Sequence, residues 1–413
     1  MNNKTNKLLP ELRFPEFRRD EDWEEKIIEN IISNENSSVA FNKLDLKTKG
    51  FAVYGADSIV GYIDKYQHEK EYISIVKDGS GVGRLNLCQA QSTILGTLVS
   101  LKSNDNKKYN LKWIYYLLNT IDFTFYKKGS GIPHIYYSDF KNEKILVPKS
   151  TEQQKIASCL SSLDELLKAQ NEKLETVKNH KSGLLQNLFP QEGEKTPKFR
   201  FKEFEKDGEW NVKGLIDTID KKVKWSFTGG PFGSNLKASD YTSNGFRIIQ
   251  LQNIGDGEFN DKYKIFTSKE KADELLSCNI YAGDIILSKM GDPVGRACII
   301  PNHIARCVMA SDGIRLVVDE KKYSKYFIYT LLNSKIIRAA IEKKATGSTR
   351  KRIGLSELKN IELIIPEKLN EQQKIADTLS TLDTLIKELV ENIEQLKLHK
   401  TGLMQGLFPK SKK

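Results

Sequence analysis

His303 and Cys307 stand four residues apart, a spacing that on a helix would put both on one face and let them share a metal ion. No second pair of ligands lies nearby, so no metal site is expected. The other cysteines, Cys88, Cys159, Cys278 and Cys298, are scattered without a C-x-x-C, and an odd total of five argues for reduced thiols over a disulfide or zinc framework. Sequences that announce catalysis are missing as well. There is no G-x-x-x-x-G-K-[ST] phosphate loop, no H-E-x-x-H, no G-x-S-x-G, and no Asp or Asn ahead of Pro-Pro-Tyr or Pro-Pro-Phe. The expectation is a chain without catalytic residues or a cofactor of its own.

Glycines follow an apolar run in DGSGVGR (78–84), where a phosphate could be cradled. A dinucleotide loop must open a helix and be followed by an acidic residue for the ribose, but RLNLCQAQSTIL comes next. The corresponding GDPVGRACII (291–300) places Pro293 beside β-forming residues, so both stretches read as hairpin turns.

The 413 residues carry a formal net charge of +11 and a pI of about 9.1, which favours a polyanionic partner such as nucleic acid. No apolar run approaches the roughly 18 residues needed to cross a bilayer, and the N-terminal residues lack the apolar stretch of a secretory signal. No membrane association is expected, and a cytoplasmic location is.

What must position these groups is written twice. EQQKIA begins at residue 152 and again at 371, and the 39 residues from each start match without a gap at about 23 positions. Apolar residues recur at spacings of four and three: Ile156, Leu160, Leu163, Leu167, Leu174, Val177, Leu184 and Leu188 in one copy. In the other they are Ile375, Leu379, Leu382, Ile386, Leu389, Ile393, Leu396, Leu403 and Leu407. This is a heptad seam, interrupted at Gln170, Lys181 and Lys400, on a helix of about 55 Å in whose last turns Gly183 and Gly402 are the places where a break could fall. So narrow an apolar stripe needs a partner, and the other copy is the natural one; two separate helices, each packed on its own domain, is the competing account. His180 and His399 hold equivalent places and read as packing or subunit-contact residues, not acid–base catalysts.

Weaker matches fall upstream in the same order. LRFPEFRRDEDW ends at Trp23 and FRFKEFEKDGEW at Trp210; VKDGSGVGR pairs with SKMGDPVGR, IYYLLN with IYTLLN, KKGSG at Lys127 with KKATG at Lys343, and KILVP with ELIIP. The halves are collinear, with the second lengthened mainly between Trp210 and Ser288. Short runs such as FAVYG, EYISIV, FRIIQLQNI, GDIILSKM and RACIIP read as strands, and WIYYLLN as a helix. The fold class is therefore α+β: two similar mixed α/β domains separated by two long antiparallel coiled-coil helices, a pseudo-two-fold internal repeat. The expected boundaries are 1–150 and 191–366 for the domains, with 151–190 and 367–413 for the helices.

These residues resemble the specificity (S) subunits of Type I restriction and modification systems. The resemblance is carried by LRFPEF with its following DW, KKGSGIPHI (127–135), EQQKIA and its heptad helix, HKSGLLQNLFP, and the second copies. GGPFGSNLKASDY, RIIQLQNIGDGEF and GDIILSKMGDPVGRACIIP look like target-recognition domains of that family. Departures are GSTRKRIG (347–354) for the GSGIPHI form and Lys202 where the first half has Pro15, which question a shared loop geometry.

The resemblance implies that each domain reads one half of a split double-stranded DNA target, and that the paired helices act as spacer and docking surface for two modification (methyltransferase) subunits. S-adenosylmethionine, ATP and Mg would then serve the partners, with translocation and cleavage in restriction (helicase-nuclease) subunits. Affinity would come from cations on phosphates and selectivity from base edges. Candidate contacts are Lys77, Arg84, Lys127 and Lys128 in the first domain, and Lys289, Arg296, Lys343, Lys344, Arg350, Lys351 and Arg352 in the second. Asn235, Lys237, Gln250, Gln252 and Asn253 are candidate base readers, since amides suit adenine and cations guanine. Tyr136 and Trp225 read as core or hairpin packing. A stand-alone DNA-modifying enzyme and a coiled-coil protein-binding scaffold are the alternatives.

Overall fold

Two helices dominate the secondary structure: α1 (Ser150–Asn187) and α2 (Leu369–Leu407). The computed structural model describes residues 9–129, 131–347 and 350–409. It divides into one unit of Met1–Lys173 with Leu389–Lys413, and a second of Leu174–Glu388. Each long helix thus begins in one unit and ends in the other.

The two helices run through Gly183 and Gly402 without a break. A mid-helix glycine costs only about 1 kcal/mol relative to alanine, and the apolar residues beyond it offset that. Leu188 and Phe189 are buried in the second unit's core with Trp210 and Phe327, and Leu407 and Phe408 in the first unit's core with Trp113. Each such side chain contributes roughly 1.5–3 kcal/mol on burial. The start of each seam also enters a globular core: Ile156 and Leu160 join the first unit's, Ile375 and Leu379 the second's. Farther along, Leu163, Leu174, Leu389 and Ile393 are buried and Leu167, Val177, Leu382, Ile386 and Leu396 half-buried. Within each unit the helices run antiparallel: Asp164 meets Lys400 in the first unit, and Lys181 meets Asp383 in the second.

The hexapeptide is repeated because it joins each helix start to its domain. Glu152 accepts from Arg13 Nε and Nη2 at 2.9 and 2.8 Å, and Glu371 accepts from Arg200 at 2.7 and 2.8 Å and from Trp210 Nε1 at 3.2 Å. All four charged side chains are at most 10% exposed, a setting in which bidentate geometry compensates desolvation. The next residue acts through its amide. Gln153 accepts from Asn110 N and donates to Pro148 O, while Gln372 accepts from Ser324 N and donates to Pro366 O, each within 3.0 Å.

The first unit holds a four-stranded antiparallel sheet in the spatial order 32–36, 98–103, 72–76, 85–88, and a smaller one ordered 59–63, 51–54, 93–94. The second repeats the four-stranded sheet as 227–229, 313–316, 285–288, 297–299, but the counterpart of the smaller sheet has five strands; each unit also has a two-stranded sheet, 24–27 with 144–147 and 211–214 with 362–365. Register locates the insertion. Val53 and Tyr54 pair in parallel with Thr93 and Ile94, as Ile248 and Ile249 do with Val308 and Met309. Tyr54 and Ile249 are 195 positions apart, but Val76 and Ser288, at the next shared strand, are 212 apart. Most of the extra length therefore lies between Ile249 and Ser288. It includes a short helix, Lys269–Glu274, and the added strand Asn279–Tyr281.

The shared helical face supposed for His303 and Cys307 does not form, because Cys307 is buried in strand Arg306–Met309 and His303 lies exposed outside it. All five cysteines are free, and Cys159 alone of them is not buried.

Candidate nucleic-acid interface

Each unit brings two loops together. In the first, a hairpin turn follows strand Tyr72–Val76: Gly83 N donates to Val76 O and Val76 N to Arg84 O, both at 2.9 Å. Gly83 has φ +88, and a Cβ there would stand 2.7 Å from that of Phe123, so the turn requires glycine. Alongside runs the loop closed by Lys128 and His134, whose backbones exchange two hydrogen bonds of 2.9 Å. Gly79 N donates to Pro133 O and Ile135 N to Lys77 O, which ties hairpin to loop.

The second unit makes the same construction. Gly295 N donates to Ser288 O, Thr346 and Arg352 exchange two backbone bonds, Gly291 N donates to Lys351 O, and Ile353 N to Lys289 O. Despite GSTRKRIG standing for GSGIPHI, the backbone pairing is preserved. Gly129 and Gly347 both adopt positive φ, at +87 and +105, where the chain must reverse. Arg350, Lys351 and Arg352 therefore occupy the places of Ile132, Pro133 and His134. Lys343 and Lys344 are not the counterparts of Lys127 and Lys128, because they end helix Lys335–Lys344, where Lys344 Nζ donates to Asn360 O. Thr346 takes the place of Lys128.

The candidate cations divide by partner. Lys128 pairs with Asp139 and Lys351 with Glu342, both at 2.5 Å; Arg84 pairs with Asp57, and Arg352 with Asp312 at 3.5 Å. Lys77, Lys127, Lys237, Lys289, Arg296, Lys343 and Arg350 have no ion pair among the described residues, and Lys127, Lys237, Lys343 and Arg350 are exposed. Arg296 Nε is buried without a hydrogen-bond partner.

The amides also separate. Asn235 and Gln252 are exposed, while Gln252 Nε2 donates to Gln250 Oε1 and Gln250 Nε2 to the Tyr241 hydroxyl, both at 3.2 Å. Asn253 does not fit the base-reading role. It is fully buried, accepts from Gln250 N at 3.0 Å, and donates to Asn260 O and Tyr263 O at 2.9 Å, so no edge of its amide is left for a base.

Tyr136 and Trp225 are not core residues: they are 52% and 37% exposed. Tyr136 lies tilted against His134 with ring centroids 5.2 Å apart, and Lys224 Nζ sits 4.2 Å above the Trp225 ring. His180 and His399 are exposed on their helices, so neither serves in packing. Sequence reasoning passed over Phe232, which is 83% exposed. The signal available was an aromatic residue between glycines immediately after a strand. Among the described residues no group of three His, Cys, Asp or Glu side chains is placed to hold a metal, and no helix is long and apolar enough to cross a membrane.

Residues 20–179 and 236–397 match the family model described as Type I restriction modification DNA specificity domain. The chain is 25% identical over 409 residues to the Type I restriction enzyme MjaVIII specificity subunit of Methanocaldococcus jannaschii, covering 95% of this chain and 93% of that one. It is 27% identical over 326 residues to the MjaIX specificity subunit of the same organism, covering 72% and 67%. In fold it is similar to the S subunit of a Type-I restriction-modification system from M. genitalium, with a TM-score of 0.68, 18% identity, and 98% and 100% of the two chains covered.

Proposed function

Because the chain belongs to the Type I restriction modification DNA specificity family, we propose that it is the address-bearing subunit of such a complex, each unit reading one half of a bipartite, asymmetric DNA target. The observation that carries this reading is the paired-loop construction, tied by the same backbone hydrogen bonds in both units on unlike side chains. Ile132, Pro133 and His134 occupy in one the backbone positions that Arg350, Lys351 and Arg352 occupy in the other. The same frame with different chemistry suits two half-sequences that differ.

Phosphate affinity is assigned to the cations without ion pairs, above all Lys127, Lys343 and Arg350, and base selection to Asn235, Gln250 and Gln252. α1 and α2 set the gap between half-sequences and offer their exposed faces, including His180 and His399, to modification subunits. Methyl transfer from S-adenosylmethionine and ATP-driven restriction belong to partners, and this chain supplies no catalytic group to either. Mapping methylated adenines in cells with and without the chain tests the reading: a two-part motif should be methylated only when the chain is present. Methylation independent of it would contradict the role.

A further inference from the structure

Phe232 has the greatest exposure of any large apolar side chain among the described residues, 83%, and lies in the loop Gly229-Gly230-Pro231-Phe232-Gly233 that leaves strand Phe227–Gly229. The loop is anchored on both sides of it. Gly230 N donates to Gly313 O at 2.9 Å, and a Cβ on Gly230 would fall 1.8 Å from Ala310 O, so only glycine lets the two backbones approach. Pro231 is buried, and Asn235 N donates to Phe232 O at 2.8 Å, closing a turn. A fixed backbone thus presents a benzyl group to solvent, an unfavourable exposure that the fold does nothing to relieve.

Beside it opens a recess of about 260 Å³, with Leu236 and Leu251 in its lining together with Gln250, Gln252 and Asp312. The two glutamines form a relay to Tyr241, and Asp312 is paired with Arg352 of the basic loop. An exposed aromatic, amides, a carboxylate and an arginine therefore meet at one place. Apolar side chains of this kind enter duplexes by unstacking a base step, while amides and carboxylates pair with exposed base edges. The first unit has a related but not identical feature: the segment after strand Ile32–Asn36 carries Phe41, 55% exposed, in a 3-10 turn.

We propose that Phe232 is a wedge that enters one base step of the half-target read by the second unit, and that the adjoining recess receives the base edge exposed there, with Gln250, Gln252 and Asp312 as its hydrogen-bonding partners. This deepens the bipartite reading and rests on it.

The test uses the full chain, a randomised duplex library, and then the selected duplex with 2-aminopurine placed in turn along each half. Wild-type binding is expected to raise fluorescence at one step of one half. Phe232→Ala should abolish that rise and weaken binding about tenfold or more without changing the salt slope, while Phe232→Leu, still a wedge, retains most of both. Phe41→Ala should leave that step as in the wild type. An exposed side chain carries little of the fold, so thermal unfolding of Phe232→Ala should match the wild type. A rise and an affinity both unchanged in Phe232→Ala would overturn the wedge. If the wild type selects no two-part motif, the bipartite reading fails, and the fluorescence measured on whatever duplex it binds still decides the wedge. Absence of any DNA binding overturns both.

Discussion

Lys181 in α1 donates to the carboxylate of Asp383 in α2, and the Tyr326 hydroxyl donates to that carboxylate's other oxygen. Lys400 and Tyr116 treat Asp164 in the same way. Lys181 and Lys400 correspond in the repeat, as do Asp164 and Asp383, but the tyrosines do not. Tyr116 belongs to the middle of helix Leu111–Leu118, whereas Tyr326 is the second residue of Lys325–Leu332. Two different positions deliver the same hydroxyl to the same carboxylate, which points to the polar contact itself as what the helix pair requires. Polar groups at a seam specify register more than they add stability.

Asp383→Ala should therefore lower stability modestly, by about 1–2 kcal/mol, because the carboxylate is partly solvated. Exchanging the charges, Lys181→Asp with Asp383→Lys, should recover part of the loss. Urea unfolding reads both, and a double variant no more stable than the singles would show that the pair does not act as a pair.

A larger effect is expected at the buried ion pairs. Arg200→Ala leaves Glu371 in the interior with Trp210 Nε1 as its remaining side-chain donor, and such orphaned charges cost about 3–5 kcal/mol. Arg13→Ala should act equally through Glu152. Denaturant midpoints indistinguishable from the wild type would remove these pairs from the account of why EQQKIA is repeated.

That repeat shows what could be read in the letters and what could not. The heptad spacing from Ile156 and Ile375 was legible because neighbours in sequence lie on one helical face. The role of Glu152 was not, since its partner Arg13 lies 139 residues away. Letter matching also paired KKGSG with KKATG by their lysines, while the backbone pairs them by Gly129 and Gly347, because only the glycines meet a conformational demand. Asn253 looked like a base reader on residue type alone; only the course of residues 250–263 reveals that its amide is consumed internally.

Alkaline solution should destabilise the protein. Burial pushes the Cys298 and Cys307 thiols up to about 12 and that of Cys88 up to about 11, above the ordinary thiol value of 9.0. Between those values the unfolded chain has lost protons that the native chain keeps, so stability is intact below the ordinary value and declines as pH rises toward the folded one. Urea midpoints should fall between about pH 9 and 11, with a shallower fall in Cys298→Ala. A midpoint independent of pH in that window would contradict the assignment.

Arg350→Ala should weaken binding to all duplex sequences and flatten the dependence of log K on log salt by about one unit, as for loss of one phosphate contact. Asn253→Ala should instead lower stability by about 1–3 kcal/mol through the hydrogen bonds it leaves unmade. Binding titrations at several salt concentrations, beside unfolding curves, separate the two. An Arg350→Ala slope equal to the wild type would take that residue off the phosphate backbone.

The bipartite reading is tested most directly by lengthening both long helices at equivalent positions, with four residues inserted after Asn171 and four after Val390. One added helical turn is about 6 Å of helix, and base pairs rise by about 3.4 Å. The motif methylated in cells should keep both half-sequences while the gap between them grows by about one or two base pairs. An unchanged gap, or a change in either half-sequence, would contradict the division of the chain into two readers and a spacer.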